Sequence, residues 1–158
     1  MGIKQQYFGM MLALTISLSA QAGGFANSDK AGLLISGYDP VSYFQPGGPQ
    51  QGLAGIQAKV EDRMYWFSSE QNKIEFLKSP AKYEPQFGGW CAYAVADSKS
   101  KVEVDPKSFL IQDGKLLLFY KGLWGNTREK WLHNKEKNPD SFLKEAEANW
   151  KDVKDKEP

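Results

Sequence analysis

The sequence predicts an α+β fold, with short antiparallel β-hairpins packed against several short helices in a single domain. Three observations predict it. Ile56, Ala58 and Val60 alternate with Gln57 and Lys59, the period of a half-buried strand, and lead through Glu61-Asp62 into the aromatic run Met64-Tyr65-Trp66-Phe67. Phe109-Leu110-Ile111 and Leu116 to Tyr120 flank Asp113-Gly114, whose two residues tolerate the positive φ that the favoured two-residue hairpin turn needs. Between and after the hairpins the spacing becomes helical, most clearly at Phe142, Leu143, Ala146 and Trp150 behind the opening pair Asn138-Pro139.

Residues 1–22 read as a signal peptide rather than as part of the fold. Lys4 supplies the charge, Tyr7 to Leu18 an apolar run of about a dozen residues, and Ala20-Gln21-Ala22 the small residues that a signal peptidase reads. The run falls short of the roughly 20 residues that span hydrocarbon, so cleavage near Ala22 and a periplasmic or secreted protein are expected, with no transmembrane segment in the mature chain. The domain is assigned to residues 23–150 and a polar, solvated tail to 151–158.

The formal net charge is only +1, which leaves no electrostatic footprint for nucleic acid. A single cysteine excludes an internal disulfide. In an oxidising compartment such a thiol is either buried and inert or free with a role.

The remaining elements follow from local chemistry. Gly23 to Lys30, small and polar, is expected to be mobile, and Leu33-Leu34-Ile35 to add an edge strand. Pro40 biases Asp39 away from helix, and Gln45 to Gly52 is a proline- and glycine-rich loop. Ser68 and Ser69 are both good helix N-caps, and Ser68 with Gln71 fits a capping box for a helix carrying Ile74, Phe76 and Leu77, while Ser79-Pro80 opens a further short turn through Tyr83. Gly88-Gly89 permits a close backbone approach before a buried helix at Trp90 to Ala96. Asp97 to Lys101 reads as a polar loop, Gly122 to Gly125 as a break, and Asn126 with Glu129 as the cap of a helix bearing Trp131.

Several motifs fall in an order that resembles the YHS-domain family. These are Gly37-Tyr38-Asp39-Pro40-Val41, then Tyr65-Trp66-Phe67-Ser68-Ser69, and Pro85-Gln86-Phe87-Gly88-Gly89-Trp90-Cys91-Ala92. Within it the chain is similar to the exported single-domain branch, and the likeness covers nearly all of residues 23–150. Relatives attached to heavy-metal transporters carry metal-associated cysteines that fall, position by position, on Ser42, Ser68 and Asn72. None of these is a thiol, and hydroxyl or amide groups do not replace thiolates for soft metals. Cys91, Met64 and His133 are the soft or imidazole ligands beyond the signal, and a transition metal such as copper would draw on Cys91.

The resulting expectation is a non-catalytic binding module that recognises a small ligand or metal species near Cys91 and the Tyr38-Asp39 segment. Tyr38, Asp39, Tyr43, Tyr65, Trp66, Trp90 and Cys91 are its candidate ligand-binding residues, forming an aromatic cleft with one charge. Two alternatives stand beside it. One is a thiol-dependent redox protein or enzyme, in which amide groups at a helix start favour the Cys91 thiolate. The other is a module that docks on an envelope protein through its aromatic face.

Overall fold

The structure, a computed structural model, describes residues 25–158. The expected signal peptide lies outside the described residues. The fold is α+β, built from hairpins and helices in one domain.

Strands β1 (Leu53–Val60) and β2 (Arg63–Phe67) pair antiparallel, with a register shift between Leu53 and Gln57. Helix α1 (Glu70–Lys78) follows, capped by Ser69, whose hydroxyl accepts from the Asn72 N–H at 3.1 Å. Of the two candidate caps Ser69 serves, because the hydroxyl of Ser68 is committed to Asp39. Pro80 starts the single turn α2 (Pro80–Tyr83), and Gly88-Gly89 leads into α3 (Ala92–Ser98).

The second hairpin pairs β3 (Asp105–Gln112) with β4 (Lys115–Phe119). Asp113 and Gly114 both take positive φ at its tip, 51° and 72°, as a two-residue turn of this kind requires. Beyond it the expected break is itself a miniature hairpin, β5 (Lys121–Gly122) with β6 (Gly125–Asn126), tipped by Leu123-Trp124. Helix α4 (Thr127–Leu132) and the long α5 (Pro139–Val153) close the chain, capped by the side chains of Asn126 and Asn138.

Strand β4 divides two cores. Its alternating side chains send Leu116 and Leu118 into one cluster, with Tyr65, Phe67, Phe76 and Tyr83, and Leu117 and Phe119 into another, with Val95, Trp131, Phe142 and Ala146. Both faces are therefore apolar, which is why Leu116-Leu117-Leu118-Phe119 is an uninterrupted hydrophobic run. Edge-on and stacked rings fill the clusters: Trp131 lies 5.4 Å from Phe119 and 5.2 Å from Phe142.

Four local expectations are corrected. Leu33-Leu34-Ile35 does not form a strand; Leu33 and Leu34 make isolated bridges, to Met64 and to Ser28, before Ile35 and Ser36 turn the backbone with positive φ. Residues 25–28 are not a loose start but a strap, in which the Asn27 N–H donates to Gly88 O at 2.8 Å and Phe25 packs edge-on against Trp150. The tail begins later than Lys151, because α5 runs on to Val153, which is only 1% exposed. Lys101, assigned to a polar loop, is buried and donates through Nζ to Lys154 O at 2.9 Å and to Lys156 O, tying down the chain's end.

Candidate functional site

The Tyr38-Asp39 segment is organised by a fully buried carboxylate. Asp39 Oδ1 accepts from the Val41 N–H at 2.9 Å. Its Oδ2 accepts from the Ser68 N–H at 2.8 Å, the Ser68 hydroxyl at 2.6 Å and Asn72 Nδ2 at 2.6 Å. Ser42 Oγ donates to Asp39 O at 2.6 Å and accepts from the Gln50 N–H at 2.9 Å, while Gln45 Nε2 donates to Asn72 Oδ1 at 3.0 Å. Ser42 and the pair Ser68 and Asn72, from separate stretches of the sequence, thus meet around Asp39. Their hydroxyl and amide groups are used on Asp39, on Gln45 and Gln50 and, between Asn72 and Ser68, on each other, and the carboxylate's hydrogen bonds come from neutral donors.

The other aromatics named from sequence do not line one opening. Tyr43 is buried, its hydroxyl donating to Pro106 O at 2.8 Å, and burial pushes its phenol well above the ordinary range. Tyr65 is buried against Phe76, donates to Glu84 Oε1 at 2.9 Å, and is pushed up by burial and by that carboxylate. Trp90 is buried with its indole N–H donating to Phe25 O at 3.3 Å. Tyr38 and Trp66 are half-buried, and Trp66 is covered by backbone: a Cβ on Gly37 would lie 2.8 Å from its ring. The expected cleft gives way to burial of Tyr43, Tyr65 and Trp90, whose rings remove apolar area from water while their hydroxyl or indole hydrogens still find acceptors.

Cys91 does lie at a cleft, from below. Its N–H donates to Val102 O at 3.0 Å, and a bridge pairs it with Leu118 of β4. Its Sγ is 3.3 Å from Thr127 Oγ1 and accepts from the Tyr120 N–H at 3.4 Å, with no solvent exposure. Above it is a cleft of about 210 Å³, walled by Tyr93, Ala94, Val102, Tyr120 and Trp124, with Asp97, Thr127 and Lys130 as polar groups. Trp124 stands at the rim, 85% exposed, beside Leu123 at 98%. Burial, with the Asp97 carboxylate beside it, pushes the Tyr93 phenol up. Tyr120, Trp124, Thr127 and Lys130 were not among the residues singled out from sequence. The available signal was an apolar pair, Leu123-Trp124, set between glycines where a polar turn is the norm.

The donors around Cys91 do not fit a soft transition metal. A hydroxyl and a backbone N–H are its polar neighbours, where such a metal wants thiolate, thioether or imidazole. His133 is 74% exposed and paired with Glu129 at 3.3 Å. Among the described residues no group of three His, Cys, Asp or Glu side chains converges. No family model matches the chain, and no curated protein or solved structure matches it significantly.

Proposed function

We propose that this protein is an exported, non-catalytic binding module of the YHS-like kind that takes a small, mainly apolar ligand in the cleft above Cys91. The observation that supports it is Trp124, a large aromatic left in solvent at the rim of a cleft with apolar walls and a few polar groups. That composition is the usual one for a small-molecule site. A thiol-dependent reaction has less support, since the sulfur is shielded and the exposed His133 is not among the cleft residues.

Indole and p-cresol titrations followed by NMR test the reading. Saturable shifts at the Trp124 indole N–H, lost from the cleft backbone amides in Trp124→Ala, are expected. Shifts absent from Tyr93, Tyr120 and Thr127 would reject it.

The exposed Leu123-Trp124 pair also favours a second reading, an interaction module that docks on an envelope protein. That reading expects co-purification of a partner that Leu123→Ser and Trp124→Ser both abolish, with no shift from either small probe.

A further inference from the structure

A second cleft, of about 460 Å³, uses the alternate residues of the same stretch. Where Tyr120, Trp124 and Thr127 serve the Cys91 cleft, Lys121, Asn126 and Arg128 join Lys107, Ser108 and Phe109 in this one. We infer that it is a binding site for a phosphomonoester, independent of the ligand taken above Cys91.

The first observation is charge. Lys107, Lys121 and Arg128 converge on the cleft, and no carboxylate lines it. Lys107 and Lys121 make no ion pair among the described residues, and Arg128 has one exposed carboxylate at 3.4 Å, Glu129, reached by Nη1. The second observation is independent of charge and concerns unmet hydrogen bonds. Ser108 is only 4% exposed, yet its Oγ has no partner among the described residues, and the same is true of the buried Nε of Arg128. A buried donor left unmade costs about 1–3 kcal/mol, so two of them beside one cleft point to an occupant that accepts from both. Asn126 adds a further donor, because its Oδ1 already accepts from the Arg128 N–H at 3.1 Å and leaves its Nδ2 over.

An occupant that only accepts, carries more than one negative charge and offers several oxygens at different angles is a phosphate group, whose planar partner of choice is arginine. A carboxylate offers two oxygens and one charge, which leaves part of this set unused. The cleft is larger than a phosphate group needs, and Phe109 gives it an apolar wall, so an organic body attached to the phosphate fits better than the free ion.

Calorimetric titration with phenyl phosphate and with inorganic phosphate tests this at low salt. Saturable binding of phenyl phosphate, tighter than that of inorganic phosphate, is expected. Arg128→Gln and Ser108→Ala should each weaken it by about tenfold, as loss of one hydrogen bond to a charged group does, while Lys135→Gln, outside the lining of the cleft, leaves it unchanged. Ser108→Ala removes one oxygen and keeps the fold, so the test survives a misfolded Arg128 variant. No saturation in the millimolar range, or equal weakening by Lys135→Gln, would overturn the site. Equal affinity for the two probes would overturn the phosphomonoester in favour of free phosphate.

Discussion

Asp39 Oδ2 accepts twice from Ser68, from the backbone N–H at 2.8 Å and from the hydroxyl at 2.6 Å. The pair joins the turn at Tyr38-Pro40 to the end of β2, and Asn72 Nδ2 extends the join to the first turn of α1. A buried carboxylate satisfied by three separate elements makes each of them depend on the others.

Asp39→Asn keeps the shape and reverses half of the hydrogen bonding. An amide nitrogen then faces donors from Val41 or from Ser68 and Asn72, and no rotation of the side chain places an acceptor at both positions. The expected loss is about 2–4 kcal/mol in urea unfolding, as for charged hydrogen bonds broken with a buried group left unpaired. A loss under roughly 0.5 kcal/mol, the size of an ordinary surface substitution, would reject the join.

Gly88 should be intolerant of any side chain for two separable reasons. Its φ is +59°, and a Cβ there would lie 2.5 Å from Phe25 O of the strap. Gly114 has a comparable φ of +72° with nothing within 4 Å, so Gly114→Ala measures the backbone strain alone, about 1–2 kcal/mol. Gly88→Ala should cost clearly more and open residues 25–28 to proteolysis. Equal costs with an intact strap would show that the close approach contributes nothing.

Hairpins and caps were legible because their causes are local. Asp113-Gly114 declares its turn within two residues, and Asn138-Pro139 declares a helix start. The Asp39 join was not legible, since its partners lie 29 and 33 residues away and nothing nearby distinguishes Ser68 from Ser69 as a cap. Tertiary hydrogen bonding decided that choice. The aromatic residues were recognised, but periodicity cannot tell a ring that lines a cleft from one that fills a core, and Tyr43, Tyr65 and Trp90 went to the cores. Cys91 was found from its place after Gly88-Gly89, whereas its cover from Tyr120 and Thr127 arrives from beyond the second hairpin. Val153 escaped notice as a lone apolar residue among charges, and its burial is a property of the docked helix.

The thiol of Cys91 should be inert in the native protein. Sγ is fully covered and lies between Thr127 Oγ1 and the Tyr120 N–H. Iodoacetamide labelling should proceed at the rate of structural opening and accelerate only with denaturant. Cys91→Ser, whose hydroxyl inherits both partners, should change stability by no more than about 1 kcal/mol. Rapid labelling of folded protein would revive the redox alternative and reject the shielded floor described for the cleft.

Stability should fall on the alkaline side, and two buried phenols set where. In the unfolded chain Tyr43 and Tyr65 ionise at about pH 10. In the folded protein burial holds both well above that, with the Glu84 carboxylate adding to the effect at Tyr65. Above that pH the unfolded chain has released protons that the folded chain keeps, so unfolding is favoured increasingly, by up to about 1.4 kcal/mol per pH unit for each tyrosine. Below it their full contribution is present. Lys101, whose pKa burial pushes down, works in the opposite sense, gaining stability as pH rises toward the ordinary lysine value. Urea unfolding from neutral to strongly alkaline pH should therefore show a level stretch, rising slightly where Lys101 titrates, followed by a decline. Tyr43→Phe removes one of the two phenols and should make that decline shallower by about the one-tyrosine slope. An identical decline in the variant would mean that Tyr43 ionises without unfolding, and would contradict its burial beneath Pro106.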